Sequence, residues 1–533
     1  MIGTYKLLLV ILLLTLAYVI LTFFIVGRRG RLYIKVLFTI LLSLIILTKP
    51  DVIFRQLLLS AVKVTETKDT PYGNITKGEY SGEESIYYNQ RLISYNDDVI
   101  EREEDIHYAL LQRPNPESVI LISGFLESRL QEILKYPVKE ISFVEPDPLL
   151  AEYALSHPFE GSVELSVKNE DAFRYIRKSD KTADMAILLV PPPSTLSLNR
   201  FYTTEFFSDL KKNLNAGGVF MCSPGAADTY LNQESINLYS SIYNSLTAVF
   251  KNVTPVGGNK LYFLASDGEL SVAFCELAEE RGIENIYVSG DFLSDDLIKN
   301  KTNEILSVID VTMRQNRSVF PIACFHFHSL SFSKTLKEKI PSLILMILIF
   351  ALPFLAIQRK NMIMYFSASA LSGFEIIVLF LLQLTAGNMY QLTGLIIAAL
   401  MTGLALGAGT NPRFLTSISL RTKALLLALF YIIAGLSFTL ILGLKTIFMP
   451  VVLIILLVIL PSYLTGHIFH ELTVTQKAGT DAGLTYGADL AGSALGFILI
   501  SGMIVPAFGI RVSIFSLALL IFAGILLGSD KNK

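Results

Sequence analysis

Apolar runs and mixed segments divide this chain twice. Residues 7–26, LLLVILLLTLAYVILTFFIV, are twenty uncharged and mostly apolar positions, enough to cross a hydrocarbon layer of roughly 30 Å. The run is too long for the core of a secretory signal peptide, and Gly-Arg-Arg-Gly-Arg follows where a small-residue cleavage site would stand. A shorter stretch, 36–48, is read as a second span, with a re-entrant segment as the alternative. From 50 to 336 the pattern changes: short β-branched runs (SVILIS, EISFVE, MAILLV, GVFMC, KLYFLA) alternate with segments of helical period. That alternation marks a parallel sheet with crossover helices, preceded by a β-rich part at about 75–105. After Pro341 the apolar pattern returns in seven stretches, 341–357, 363–384, 389–408, 424–442, 447–465, 483–505 and 511–528. Several of these carry small residues, as in GLIIAALMTGLALGAG and GADLAGSALGF, which let helix backbones approach closely in a bilayer.

Composition agrees with that division. The 533 residues are 52% apolar and 17% charged, against roughly 25% charged in ordinary soluble domains. A disordered chain and a purely cytosolic catalyst are excluded. Three scattered cysteines make neither a disulfide framework nor a zinc cluster, so no metal site is expected. A net charge of −2 gives no reason to expect a nucleic-acid partner. The fold class is therefore a polytopic α-helical membrane protein with an α/β Rossmann-like soluble domain. Its divisions are two N-terminal spans (1–49), the soluble domain (50–336) and a C-terminal bundle of about seven helices (337–533).

Basic residues sort the loops. One set holds Arg28, Arg29, Arg31, Lys35, Arg359, Lys360, Arg413, Arg421, Lys423, Lys477, Lys531 and Lys533; the other holds Lys6, Lys445 and Arg511. The positive-inside bias places the C-terminus in the cytoplasm and the 50–336 domain outside it, in a multi-pass protein of the inner or plasma membrane. That parity rests on 36–48 crossing the bilayer.

The strongest local signal begins at Pro114. Strand SVILIS leads through a turn into a helix, strand KEISFVEPDP ends in Glu145, and VELSVKNEDAFRYI places Asp171 after a third strand. In doubly wound folds an acid at the end of the second strand meets a ribose hydroxyl, and ligands lie at the carboxyl ends of the strands. The blocks PNPESVILISGFLESRLQEILKYPVKEISFVEPDP and LLVPPPSTLSLNRFYTTEFFSDLKKNLNAGGVF resemble the spermidine/spermine synthase (polyamine aminopropyltransferase) family. The membrane-embedded members are the most similar, and Asn199-Arg200-Phe201-Tyr202-Thr203 is the most specific stretch. The resemblance implies a SAM-methyltransferase-type fold, with Gly124, Glu145 and Asp171 as the remnants of a site for decarboxylated S-adenosylmethionine.

Departures from the family pattern are as informative. Ser123-Gly124-Phe125-Leu126-Glu127-Ser128 stands where the family has a glycine-rich GGGDGG loop, so only Gly124 survives and Glu127 puts a negative charge at a helix N-terminus. The aspartate that in the family takes the proton of the attacking amine corresponds to Val190, which is followed by Pro191, Pro192 and Pro193. Valine cannot accept a proton. The polyamine-holding acids have no fixed counterparts; Glu101, Glu103, Glu104, Asp105 and Asp209 are the candidates.

The expectation is thus an inactive or altered homologue with no catalytic residue and no bound cofactor. It would act as a binding or assembly module, with the bilayer and a membrane or extracytoplasmic protein as partners. Two alternatives stand beside it: an active membrane-bound aminopropyltransferase using decarboxylated S-adenosylmethionine, and a transporter of polyamines or cations. The transporter reading rests on Glu375, Gln383 and Asp489, intramembrane polar residues expected to line one site. His467-Ile-Phe-His470-Glu471 is read as an interfacial loop, His326 and His328 as a strand pair, and the acidic run 101–105 as a solvated face.

Overall fold

The computed structural model describes residues 50–70, 72–95, 98–155, 163–226, 231–335, 354–386, 390–410, 412–442, 448–474 and 480–528, with five further positions (15, 16, 39, 40 and 43) before residue 50. Apart from those positions, the two N-terminal apolar stretches lie outside the described residues, as does most of 341–357. The chain divides into two compact units, 1–170 with 274–293, and 171–273 with 294–533.

In the first unit, helix α1 (Pro50–Leu58) precedes an antiparallel meander of β1 (Lys63–Asp69), β2 (Asn74–Tyr80), β3 (Glu83–Tyr88) and β4 (Arg91–Tyr95). The β part therefore starts earlier than expected and ends at Tyr95. β1 is polar on both faces, KVTETKD, so its alternation is invisible in the sequence. Residues 99–105, expected within the β part, belong to helix α2 (Val99–Leu110). The acidic run is also not a solvated face: Glu103, Glu104 and Asp105 are buried. Glu103 accepts three consecutive backbone N–H groups, from Ile286, Tyr287 and Val288, at 2.8–2.9 Å. Asp105 and Asp98 share the buried Arg129, each at 2.9 Å. Glu103 is held by those amides, and Asp105 and Asp98 by the Arg129 charge, which is what lets these carboxylates be buried.

Three parallel strands follow, β5 (Ser118–Ile122), β6 (Glu140–Val144) and β7 (Glu164–Lys168), paired in that order. Helix α3 (Leu126–Ile133) makes the crossover between the first two, as parallel neighbours require. Helix α4 (Pro148–Tyr153) starts on an Asp147 cap with Pro148 in its first turn.

The second unit opens with helix α5 (Ala172–Lys178), strand β8 (Ala183–Leu188), helix α6 (Thr204–Lys211) and strand β9 (Leu214–Ala226). β8 and β9 are parallel. Helix α7 (Gln233–Thr247) leads to β10 (Asn252–Gly257) and β11 (Lys260–Ser266); β11 pairs antiparallel with both β9 and β10. Helices α8 (Asp295–Val308) and α9 (Ile322–Thr335) close the α/β part. His326 and His328, expected on a strand, lie in α9, where CFHFH is one turn of an apolar helix.

The bundle consists of α10 (Met362–Ala386), α11 (Tyr390–Gly409), α12 (Leu420–Leu442), α13 (Phe448–Val474), α14 (Thr480–Leu499) and α15 (Val505–Leu527). Five apolar helical stretches among the described residues are long enough to cross a membrane, the last being Ala482–Leu527. That last stretch contains two antiparallel passes. A Cβ on Gly373 would touch both Ile500 and Leu517, residues that a straight helix would hold roughly 25 Å apart. The reversal passes through a π-helical turn at 500–504 and through Gly509 (φ 79°, ψ 171°), a conformation open to glycine alone. Close approach fixes the directions of the other helices. Gly492 and Gly496 lie against the Tyr365 and Ser369 carbonyls, so α14 runs parallel to α10; Gly403 and Gly407 lie against Ser462 and Tyr463, so α11 runs parallel to α13.

His467, His470 and Glu471, expected in a loop, lie inside α13, whose last turn runs past them to Val474. Glu471 pairs with the buried Lys423 of α12.

Candidate functional site

The turn after β5 is where the family pattern expects backbone close to a ligand. Ser123 (φ 62°) and Gly124 (φ 86°) are both left-handed there. Gly124 adopts that geometry freely, whereas Ser123 holds it at a cost of roughly 1 kcal/mol. Two bonds keep it in place. Its N–H donates to the Val144 carbonyl at 2.9 Å, and its hydroxyl donates to the Glu145 carboxylate at 2.9 Å.

Glu145 leaves the end of β6 and is 2% exposed. Its second oxygen accepts the Asp147 N–H at 3.1 Å. Burial outweighs these two donors and pushes its carboxyl up to about 7, with the Asp147 charge adding to the rise. Asp147 is fully buried and saturated: it takes the Leu149 N–H, the Tyr88 hydroxyl at 2.8 Å and the Thr70 hydroxyl. Phe125, which caps α3 without a side-chain acceptor, is folded into the core. The structure thus brings Gly124 and Glu145 together, but the hydroxyl that meets Glu145 belongs to Ser123.

In the second unit Asp171 stands at the start of α5. One of its oxygens pairs with Arg200; the other is buried with no partner among the described residues. Arg200 is 2% exposed, a large burial for a guanidinium. It stacks 4.6 Å from the Phe201 ring and donates to the Ser197 carbonyl at 3.1 Å and the Gln383 carbonyl at 3.2 Å. Asn316 holds the same segment by donating to the Tyr202 carbonyl at 2.9 Å and accepting the Ala323 N–H at 3.1 Å. The Asn199–Thr203 block was legible as the most specific stretch, but the roles of Arg200 and of distant Asn316 were not.

Val190 lies just past the end of β8. The Tyr202 hydroxyl stands 3.1 Å from both the Val190 and Pro191 carbonyls and 2.8 Å from that of Ser223. The strand end is therefore occupied by backbone and a phenol, with no carboxylate at the family's base position. Asp209 is committed to Arg177 and Lys212, at 2.9 and 2.7 Å.

Glu375, Gln383 and Asp489 are not brought together. The α10–α14 register sets Asp489 level with Met362, so Glu375 lies about 13 residues, roughly 20 Å, further along the bundle. Gln383 is two turns beyond Glu375, and its carbonyl faces Arg200. A single intramembrane site lined by all three is ruled out by that spacing. Among the described residues no group of three metal-ligating side chains forms.

Residues 99–257 match the spermine/spermidine synthase domain family. They form a spermidine-synthase-like domain. The polyamine aminopropyltransferase of Leptospira interrogans is 31% identical over 163 residues, which are 29% of this chain and 33% of that protein. The corresponding enzyme of Oceanobacillus iheyensis is 27% identical over 248 residues, 44% of this chain and 46% of that one. The match thus spans a third to a half of these relatives' length. The solved spermidine synthase of Thermotoga maritima aligns with a TM-score of 0.37 at 20% identity, covering 45% of this chain and 88% of its own. Ser123 engages Glu145, one oxygen of Asp171 pairs with Arg200, and Val190 stands at the position that the resemblance gives to the base.

Proposed function

We propose that this chain is a membrane-anchored, non-catalytic member of the spermidine-synthase-like proteins, a binding or assembly module held on a helical bundle. The observation that carries the reading is the end of β8, where Val190 and its carbonyl face the Tyr202 hydroxyl instead of presenting a carboxylate. Aminopropyl transfer needs an acceptor for the amine proton, and neither a valine side chain nor a phenol already bonded to backbone carbonyls supplies one. Supporting it, the chain's own Ser123 and Arg200 engage the two acids that the family resemblance would assign to a nucleoside.

On this reading the domain lies outside the cytoplasm, with the C-terminus inside. Arg359, Lys360, Arg413, Arg421 and Lys423 fall toward the bundle end opposite Gln383 and Gly509, which supports that orientation. A bilayer and a membrane or extracytoplasmic protein are then its partners.

An active aminopropyltransferase is the second reading. The unpartnered, buried oxygen of Asp171 favours it, because an amino group of a ligand would satisfy that atom. One assay separates the two. The full chain in detergent, incubated with putrescine and decarboxylated S-adenosylmethionine, is expected to form neither spermidine nor methylthioadenosine above a blank. Enzyme-dependent formation of both products would replace the first reading with the second.

A further inference from the structure

We propose that Arg200 is a latch through which the charge of Asp171 governs the C-terminal end of membrane helix α10. The last four carbonyls of any helix lack intrahelical partners and carry the negative end of its dipole. Gln383 lies in the last turn of α10 as described to Ala386, so its carbonyl is at that negative end. Arg200 donates to that carbonyl at 3.2 Å with one terminal nitrogen and pairs with Asp171 through the other. Its remaining Nε–H is held by the Ser197 carbonyl, and the Phe201 ring covers its face. A guanidinium is planar and rigid, so its two ends cannot move independently.

A second contact lies at the corresponding end of a neighbouring helix. The Ile510 N–H, just past the reversal at Gly509, donates to the Val319 carbonyl at 3.0 Å. Val319 belongs to the segment that leads into α9, which also packs on α15. With α15 anchored by backbone, Arg200 is the charged side chain that ties the α10 end to the α/β part.

Arg200 is buried, and a buried guanidinium is stable only with its counter-charge present. Asp171 is that counter-charge, since no other salt bridge to Arg200 exists among the described residues. Neutralising Asp171, by substitution or by a ligand that takes its carboxylate through an amine or amidine, therefore loosens the guanidinium and with it the helix end. Asp171 is on this account a positioning residue for α10. The coupling holds whether or not the domain transfers an aminopropyl group.

Hydrogen exchange read by mass spectrometry on the full chain in detergent tests the latch. Arg200→Gln is expected to speed exchange in the last two turns of α10 about tenfold, with the β9 segment unchanged. Asp171→Asn is expected to do the same, although the substitution is not in α10. The double variant should add nothing further, because the two residues act in series. If Asp171→Asn leaves α10 at the wild-type rate, or if the two effects add, the latch is overturned. Should Arg200→Gln unfold the chain, Arg200→Lys keeps the charge and removes the fork; at least threefold faster exchange at the α10 end is then expected, and wild-type exchange there would equally overturn it.

Discussion

Glu145 carries the most direct consequence at the scale of single residues. Its carboxyl is raised from an ordinary value to about 7 by burial. Between about pH 4.5 and 7 the folded chain therefore binds a proton that the unfolded chain releases, and stability falls as pH rises through that window. The penalty is complete above pH 7 and amounts to about 3 kcal/mol. Thermal melting of the full chain in mild detergent should show wild type losing stability from pH 5 to 8, while Glu145→Gln shows a flatter profile and melts higher at pH 8. Parallel profiles for the two proteins would mean that Glu145 stays ionised in the fold. At this scale the sequence showed where the chain departs from the family it resembles, at Val190 and in the loop 123–128, because substitution of one residue type by another is visible directly. It did not show what took their place. Ser123 on Glu145 and Arg200 on Asp171 are pairings over 22 and 29 residues that only the folded chain creates.

At the scale of elements, the bundle is set by where backbones touch. A Cβ on Gly496 would overlap the Ser369 carbonyl, whereas one on Gly487 in the same helix would meet nothing. Gly496→Ala is expected to destabilise by roughly 1–3 kcal/mol through overpacking, and Gly487→Ala to be neutral or slightly stabilising, since alanine is the better helix former. Melting temperatures in detergent check both, and equal effects would contradict the α10–α14 packing. The helices themselves were readable from apolar length. The pairing of α14 and α15 as one folded-back element was not, since the sequence shows two stretches and not the turn at Gly509 that joins them. The acidic run 101–105 failed for a related reason. Charge in a sequence signals solvent until a partner is known, and Arg129 and the amides of 286–288 lie far along the chain.

At the scale of the whole molecule, orientation decides which metabolites the synthase-like domain can meet. If the basic loops lie in the cytoplasm, as proposed, a reporter enzyme that is active only outside the cytoplasm should give signal when fused after residue 200 and none when fused after 528. The reverse pattern would place the domain among cytoplasmic substrates and remove the topological support for a non-catalytic role. Two properties of this protein were legible in the sequence alone: its division into apolar and mixed parts, and the resemblance of residues 99–257 to the spermine/spermidine synthase domain. Both are local: hydrocarbon thickness acts on consecutive residues, and the resemblance rests on contiguous motif blocks such as Asn199–Thr203. Tertiary structure decided the rest: which acids are satisfied internally, that Glu375 and Asp489 stand at different levels of the bundle, and that a single arginine joins Asp171 to the end of α10. Those outcomes depend on residues far apart in the chain meeting in a low-dielectric interior, where a buried charge persists only if a partner arrives with it.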